Sequence, residues 1–192
     1  MWMVESNVTD FNRLGYGVLE FIMSPSNLNA AYLQVMRNKG AAGVDKVEVE
    51  SLKDYLIKNK TELTAAIFRG IYRPHPVRRV EIPKDNGQKR QLGIPTVVDR
   101  VIQQAISQIL SGLYEPQFSD HSYGFRPKRN AHQALEQCRK YITEGYEYAV
   151  DLDLEKFFDK VNHSKLIEVL SRTIKDGRVV SLIHKYLNAG VQ

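Results

Sequence analysis

Hydrophobic and polar positions along this chain follow two periods, one typical of helices and one typical of strands. The clearest helical stretch is TVVDRVIQQAISQILSGLY, residues 96–114. Its polar side chains recur with the 3.6-residue period of an amphipathic helix, at Arg100, Gln103, Gln104, Ser107, Gln108 and Ser111. Thr96 with Asp99 three residues later is a variant of the capping box, so we expect the helix to begin there.

The same period predicts further helices. We expect them over Ser26–Asn38, with Ser26 or Asn27 as the cap, over Leu52–Lys58 and Glu62–Ile71, over Ala131–Ile142 with Asn130 as the cap, and after Asn162 and Asp176. The stretch KGAAGVD, residues 39–45, contains two glycines and predicts a loop. Residues 1–25 show no clear period and are interpreted as a loosely attached N-terminal extension.

A β-hairpin is predicted over Val77–Pro95. Val77–Ile82 is rich in strand-forming residues, Asp85, Asn86 and Gly87 supply turn chemistry, and Arg90–Ile94 forms the return strand. Together with the helices this predicts an α+β fold.

The stretch VDLDLEKFFDKVNH, residues 150–163, combines the pattern of a buried strand with three aspartates and a glutamate. In a strand over Glu147–Leu154, apolar side chains share one face, whereas Asp151 and Asp153 share the other. Burying a carboxylate without a partner costs on the order of several kcal/mol, because the charge loses its hydration. These aspartates therefore either lie at the water edge, capping the next helix, or bind a hard cation such as Mg²⁺.

Composition and charge narrow the range of possible functions and compartments. The chain has 192 residues, a formal net charge of +5 and one cysteine, Cys138. These features exclude an internal disulfide and a cysteine-rich metal site and favour a reducing compartment. No apolar run has the length of a membrane span and no signal peptide is recognised, so we expect a cytoplasmic protein without a membrane partner.

Positive charge is concentrated between residues 69 and 100. Eight cationic side chains stand there against three acidic ones. The cations are Arg69, Arg73, Arg78, Arg79, Lys84, Lys89, Arg90 and Arg100. Such a cluster is either a solvated hairpin or a surface for a polyanion.

Several of these stretches, in this order, resemble one family. MRNKGAAGVDKV, YRPHPVRRVEIPKDNGQKRQLGIPTVVDRVIQQAI, SYGFRPKRNAHQAL, AVDLDLEKFFDKVNHSKL and IHKYLNAGV are similar to successive blocks of bacterial group II intron reverse transcriptases, also called maturases. The resemblance extends over roughly Asn27–Val191 and is strongest in the second block. It implies reverse-transcriptase fingers followed by the beginning of a right-hand palm. The domains expected are a 1–25 extension, 26–145 fingers and a 146–192 partial palm.

The resemblance implies roles for individual residues. Asp153 matches the first catalytic aspartate of the palm, binding Mg²⁺ together with the backbone carbonyl of Leu154. Asp151 is the second-best candidate. Phe158 matches the residue that packs under the ribose of the incoming nucleotide and excludes a 2′-hydroxyl. Lys84 and Arg90 match the residues that hold the triphosphate.

Seven further cations are assigned to RNA. Those expected to meet its phosphates are Arg69, Arg73, Arg78, Arg79, Arg126, Lys128 and Arg129. Without the family, Phe158 would be a core residue, Lys84 and Arg90 would be solvated turn cations, and Arg126 would be a structural ion-pair partner.

The sequence departs from the family pattern in one respect, because it contains no Asp-Asp pair for the Tyr-x-Asp-Asp turn. The expectation is a truncated part of an RNA-directed DNA polymerase that binds RNA without catalysis. Its partners would be group II intron RNA, an RNA template with a DNA primer, and dNTP, with a homodimer as a further expectation. The alternatives are a fingers module that only binds RNA or dimerises, and a retron, diversity-generating or CRISPR-associated reverse transcriptase.

Overall fold

The structure, a computed structural model, describes residues 17–83, 87 and 89–192. In this part of the chain the α-helices are α1 (Val18–Ile22), α2 (Pro25–Asn38), α3 (Leu52–Phe68), α4 (Val97–Tyr114), α5 (Ala131–Thr143), α6 (Phe157–Lys160), α7 (His163–Thr173) and α8 (Gly177–Leu187). Strands β1 (Arg78–Pro83) and β2 (Lys89–Ile94) form a two-stranded sheet. This mixture of helices with a small sheet agrees with the predicted α+β class.

The chain divides into two compact units. The first comprises Met1–Leu110 and Asn162–Gln192, and the second comprises Ser111–Val161. The buried apolar side chains of the first unit come mostly from α1, α2, α3, α4 and α8 and include Leu19, Ile22, Ala31, Val35, Leu52, Ile67, Val97, Ile102, Ala105, Ile174, Val179 and Leu182. The predicted boundaries at residues 25 and 145 stay a prediction.

Part of the predicted N-terminal extension is an integral piece of the first unit. Leu19 and Ile22 of α1 are buried, and the Leu19 backbone N–H donates to the Asp176 carboxylate at 3.0 Å. The interpretation of 1–25 as loosely attached is therefore wrong for residues 17–25. Helix α1 has only five residues, too few for a hydrophobic period to be recognised.

Helices α2 and α3 differ from the prediction at their ends. The cap of α2 is Ser24, whose hydroxyl accepts from the Asn27 backbone N–H, because Pro25 takes the first helical position that suits proline. Helix α3 runs without a break where two helices were predicted. Its sequence holds no glycine or proline until Gly70, and Asn59 donates its side-chain amide to the Tyr55 carbonyl within the helix.

The predicted cap Asn130 is confirmed, and the helices predicted after Asn162 and Asp176 begin with those two residues as their caps. The side chains of Asn162 and Asp176 accept from backbone N–H groups of α7 and α8. Asn130 forms a complete capping box with Gln133 at the start of α5. Each cap satisfies backbone donors that the first turn leaves free.

The hairpin is confirmed to within one residue at each end. Its antiparallel register pairs Arg78 with Ile94, Val80 with Leu92 and Ile82 with Arg90. Residues 190–192 run parallel to the beginning of the hairpin, where the backbone N–H groups of Val77 and Arg79 donate to the carbonyls of Gly190 and Gln192. The base of the hairpin is thereby fixed to the segment after α8.

The core strand predicted over Glu147–Leu154 does not form in the described part of the chain. Residues 146–154 have no regular secondary structure, and Tyr148, Val150 and Leu152 are 93%, 84% and 89% exposed. A strand needs a neighbour to pair its backbone groups, and no described segment lies beside this one. The prediction of a strand with one buried apolar face is wrong for this structure.

Among the described residues, no helix is long and apolar enough to cross a membrane.

Candidate nucleotide and RNA interface

The cations Lys89 and Arg90 lie on opposite faces of the hairpin in the first unit. Directly paired residues share a face of an antiparallel ladder, so Arg90 lies with Ile82, Val80 and Leu92. Lys89 lies on the opposite face and forms an ion pair with Glu81 at 2.7 Å. Arg90 is exposed and has no carboxylate partner among the described residues. The structure thus separates a neutralised cation from one that is available to a ligand.

The predicted partner of Arg90, Lys84, lies outside the described residues, as do Asp85 and Asn86 of the predicted turn. Gly87, which is described, has a φ of 78°, a left-handed conformation that suits the turn assigned to it.

Below the hairpin, a buried carboxylate joins three segments of the first unit. Asp99, at 1% exposure, accepts hydrogen bonds from the hydroxyls of Tyr72 at 2.6 Å, Thr96 at 2.7 Å and Tyr186 at 3.2 Å. The His75 backbone N–H donates to it at 3.2 Å, and the His75 imidazole lies 3.4 Å away. These contacts connect the segment that precedes β1 to the start of α4 and to α8.

Burial raises the pKa of the Tyr72 hydroxyl, and the charge of Asp99 raises it further. The pKa of Tyr186 is raised for the same reason, burial, with additional contributions from Tyr72 and Asp99. Both hydroxyls consequently stay protonated and can donate. Lys185 completes the connection by donating its ammonium to the carbonyls of Gly70 and Tyr72.

The sequence revealed Asp99 only as a capping residue. Thr96 accepts from the Asp99 backbone N–H at 3.2 Å, which confirms that the helix begins there. The contacts with Tyr72 and Tyr186 bridge 27 and 87 residues of sequence. No local pattern could have indicated them.

Several cations assigned to RNA lie in the same unit. Arg73 and Arg79 are exposed and have no carboxylate partner among the described residues. Arg78 is half-buried and donates from Nε to the Ala42 carbonyl at 3.0 Å, and Arg69 donates weakly to Ala65 at 3.4 Å. Arg69 is also exposed, so Arg73 and Arg79 differ from it in that their side chains make no hydrogen bond among the described residues.

In the second unit, Arg126 has an internal position. Its side chain is 7% exposed, forms hydrogen bonds of 3.1 and 2.8 Å to one carboxylate oxygen of Glu115, and donates to the carbonyls of Ser119 and Ser122. The guanidinium also lies over the Phe118 ring, 5.4 Å from its centre. These contacts use its donors within the protein and match the alternative of a structural ion-pair partner.

The two neighbouring cations of this loop are arranged differently. Lys128 is exposed at a φ of 60°, and Arg129 pairs with the exposed Asp120 at 3.2 Å while lying over the Tyr123 ring. Lys128 is thus the most available of the three cations assigned to RNA in this unit.

The proposed metal residues also belong to the second unit. Asp151 and Asp153 are exposed, and neither carboxylate has a hydrogen-bond or ion-pair partner among the described residues. Residues 17–83, 87 and 89–192 contain no group of three or more His, Cys, Asp or Glu side chains that could hold a metal ion. A single free carboxylate beside the Leu154 carbonyl is a partial ligand set, of the size that Mg²⁺ accepts when phosphates and waters supply the rest.

The Phe158 side chain is neither buried in a core nor covered by other residues in this structure. Its ring is 88% exposed, and its ring contact among the described residues is an edge-on one with Phe157, at 5.5 Å between ring centres. Lys156, with a φ of 52°, precedes the short helix that carries both rings. An exposed ring next to the proposed metal ligand does not support the reading of Phe158 as a core residue.

Comparison with known proteins places the chain in a family. Residues 82–192 match the model of reverse transcriptase (RNA-dependent DNA polymerase). The chain therefore belongs to the reverse transcriptase family. It is 37% identical over 173 residues to the group II intron-encoded protein LtrA of Lactococcus lactis subsp. cremoris, covering 88% of this chain and 28% of that protein.

Two further proteins are similar in sequence to this chain. Protein YkfC of Escherichia coli (strain K12) is 36% identical over 179 residues, covering 90% of this chain and 47% of its own length. Nuclear intron maturase 2, mitochondrial, of Arabidopsis thaliana is 36% identical over 89 residues, covering 46% of this chain and 12% of that protein. The chain thus spans less than half the length of these relatives, and the resemblance to intron-encoded reverse transcriptases is confirmed.

Proposed function

We propose that this chain binds RNA as part of an RNA-directed DNA polymerase encoded by a group II intron, and that the same protein binds its intron RNA as a maturase. Family membership supports the polymerase, and the similarity to an intron-encoded protein and to an intron maturase supports the intron RNA. The observation that carries the proposal is the set of exposed, unpaired cations beside and on the hairpin.

The charge pattern fits an extended polyanion. Arg73 and Arg79 lie outside any ion pair with described residues, whereas the neighbouring Lys89 is neutralised by Glu81. Phosphate contacts provide most of the affinity of such surfaces and depend strongly on salt. In the second unit, Lys128 would add a further phosphate contact.

The nucleotide would be held by Arg90 together with Lys84. Arg90 is an exposed cation beside Ile82 and Leu92, on a hairpin face whose other described cation is Arg78, so its guanidinium could bind the triphosphate while the two apolar side chains border the sugar or base. Phe158 would pack against the ribose and exclude a 2′-hydroxyl.

Asp153 and the Leu154 carbonyl would bind Mg²⁺, with Asp151 as the alternative ligand. The ion, when bound, would supply charge neutralisation for the phosphates. The palm in which these residues would act, and the inactivity of the chain by itself, are parts of the same proposal.

The decisive experiment measures filter binding of a structured RNA to the chain and to two matched double variants. Reversal of the accessible cations, Arg73→Glu with Arg79→Glu, is expected to lower affinity by about tenfold or more, because two phosphate contacts become repulsive. Lys58→Glu with Lys60→Glu makes the same charge change on exposed positions of α3 and is expected to lower affinity by less than about threefold.

The titrations are repeated at two salt concentrations. A steeper loss of affinity with salt for the wild type than for the Arg73 and Arg79 variant supports phosphate contacts at these residues. Equal losses for both double variants would contradict the proposed surface and leave only a general effect of net charge.

A further inference from the structure

A cavity of about 270 Å³ lies in the first unit, and none of its lining residues is among those assigned to RNA or nucleotide. It is bordered by the end of α2, by the loop that follows and by one face of α4. Its lining residues are Asn38, Lys39, Arg100, Gln103, Gln104 and Ser107, whose side chains carry polar ends, and the apolar Val35. The function described above uses none of these residues.

The loop at the mouth of the cavity is held in a fixed conformation. Arg100 donates from its two terminal nitrogens to the carbonyls of Lys39 and Ala41, at 3.3 and 2.9 Å, and Arg78 fixes the carbonyl of Ala42. Gly40 has a φ of 113°, a backbone conformation that favours glycine, and a Cβ there would lie 2.8 Å from a terminal nitrogen of Arg100, which would have to shift. The position of the loop is therefore determined by the two arginines.

Lys39 has an unusual backbone conformation within this loop. Its φ of 51° and ψ of −146° belong to a region that glycine occupies almost alone. No hydrogen bond of the Lys39 side chain explains this strain, because that side chain is exposed and has no partner among the described residues. Strained residues of this kind concentrate at sites where a ligand is bound. Here the strain coincides with the placement of a free ammonium at the cavity.

The cavity is positively charged. Lys39 and Arg100 are its two cations, and no described lining residue is acidic. The nearest carboxylates that influence Arg100, those of Asp45 and Glu48, form no ion pair with it, and burial lowers the pKa of its guanidinium. Its Nε is buried and has no acceptor among the described residues. An anion in the cavity would offset this desolvated charge.

The uncharged lining suits the edge of a nucleobase. The amides of Asn38 and Gln103 and the Ser107 hydroxyl can each donate and accept hydrogen bonds. RNA-binding sites recognise unstacked bases through this combination of groups. The volume lies slightly below that of pockets for drug-sized ligands, so it fits one nucleotide rather than several.

We propose that this cavity binds a single unpaired nucleotide of a bound RNA strand, with its phosphate at Lys39 and its base edge at Asn38 and Gln103. The proposal rests on the proposed RNA binding of the chain and adds a second contact region to it. The cations near the hairpin provide affinity for the backbone, whereas the cavity selects a nucleotide that is not base-paired.

The first test is the affinity of the chain for a short single-stranded RNA, measured by fluorescence anisotropy. Lys39→Glu is expected to lower affinity by about fivefold or more, and Gln103→Ala by about threefold without a change in charge. The matched control is Lys46→Glu, because Lys46 is an exposed lysine of the next turn, also with a positive φ of 58°, that does not line the cavity. Its affinity is expected to stay within about twofold of the wild type.

A second variant separates binding from folding. Lys39→Gly removes the ammonium and also relieves the backbone strain, so it is expected to raise the melting temperature while lowering RNA affinity. Unchanged affinity in Lys39→Gly and Lys39→Glu would overturn the proposal, as would equal losses for Lys39→Glu and Lys46→Glu.

The third measurement distinguishes failure of the cavity from failure of RNA binding in general. Adenosine monophosphate is titrated into the labelled chain, and the side-chain amide signal of Gln103 is followed by NMR. A shift at Gln103 that disappears in Lys39→Glu supports the cavity as a nucleotide site. If the wild type shows this shift but binds no RNA, the proposed function is rejected and the cavity site is not. RNA binding by the wild type without any shift at Gln103 would overturn the cavity and leave the proposed function standing.

Discussion

The Tyr72 hydroxyl donates a hydrogen bond of 2.6 Å to the buried carboxylate of Asp99, and this contact connects the segment before the hairpin to the helix that follows it. Tyr186 donates to the same carboxylate oxygen from α8. The carboxylate is thus stabilised by neutral donors rather than by a buried cation. The base of the hairpin, and with it Arg90, depends on this arrangement.

Tyr72→Phe is expected to lower the free energy of unfolding by about 1–3 kcal/mol, because a buried charged acceptor loses one donor. Urea unfolding of the whole chain measures this change. Tyr148→Phe is the matched control, since that hydroxyl belongs to a residue that is 93% exposed, and it is expected to have an effect below about 0.5 kcal/mol. Equal stability of both variants would show that Asp99 does not need the Tyr72 hydroxyl.

The raised pKa values of Tyr72 and Tyr186 predict a loss of stability in alkali. Tyrosines of the unfolded chain ionise near pH 10, whereas these two keep their protons in the folded state. The stabilisation is therefore complete below about pH 10, and above it falls by about 1.4 kcal/mol per pH unit for each of the two tyrosines. Unfolding free energies measured between about pH 9 and 11 should fall less steeply in Tyr72→Phe than in the wild type. Parallel curves for the two proteins would contradict the assignment.

Arg126 is predicted to stabilise the second unit. Arg126→Ala should cost about 2–3 kcal/mol, because it leaves the Glu115 carboxylate and two backbone carbonyls without their donor. Arg129→Ala removes a more exposed ion pair and should cost less than about 1 kcal/mol. Hydrogen exchange of the loop over residues 119–130 measures both. Glu115→Gln keeps an acceptor for Arg126, so its loss of protection is expected to lie between those of Arg126→Ala and Arg129→Ala. Equal protection of the loop in all variants would contradict a structural role of Arg126.

In a longer protein that contains this sequence and copies RNA into DNA, Asp153→Ala is predicted to abolish DNA synthesis while RNA binding stays nearly unchanged. Metal binding needs the carboxylate, whereas contact with RNA phosphates does not. Primer extension and filter binding measure the two activities. Full extension by Asp153→Ala together with loss in Asp151→Ala would shift the assignment to Asp151.

The exposed apolar side chains of residues 148–158 are predicted to make the chain associate with itself. Val150, Leu152 and Phe158 are each more than 80% exposed, and large exposed apolar side chains favour association in water. Sedimentation velocity at increasing concentration should show oligomers that decrease in Leu152→Lys. Lys160→Glu, an exposed charge change in the same unit, is the control. A wild type that stays monomeric at high concentration would contradict the prediction.

Local sequence determined most of the helices and the strands of the hairpin, but not α1, the cap of α2 or the continuity of α3. Asn130, Asn162 and Asp176 cap the helices that follow them because a short polar side chain can reach the free N–H groups two or three residues ahead. The same is true of the hairpin, whose turn residues lie between two strand-forming segments. Family membership could also be recognised, because the order of the motifs is itself a property of the sequence.

Contacts between distant segments decided the rest. Residues 147–154 alternate as a strand does, but a strand exists only where a neighbouring segment accepts its hydrogen bonds, and the described chain provides none. Asp99 and Arg126 have charges that suit a surface, yet the fold surrounds the first with hydroxyls and the second with carbonyls and a carboxylate. Period and spacing describe which residues share a face, whereas burial and pairing depend on what the fold brings against that face.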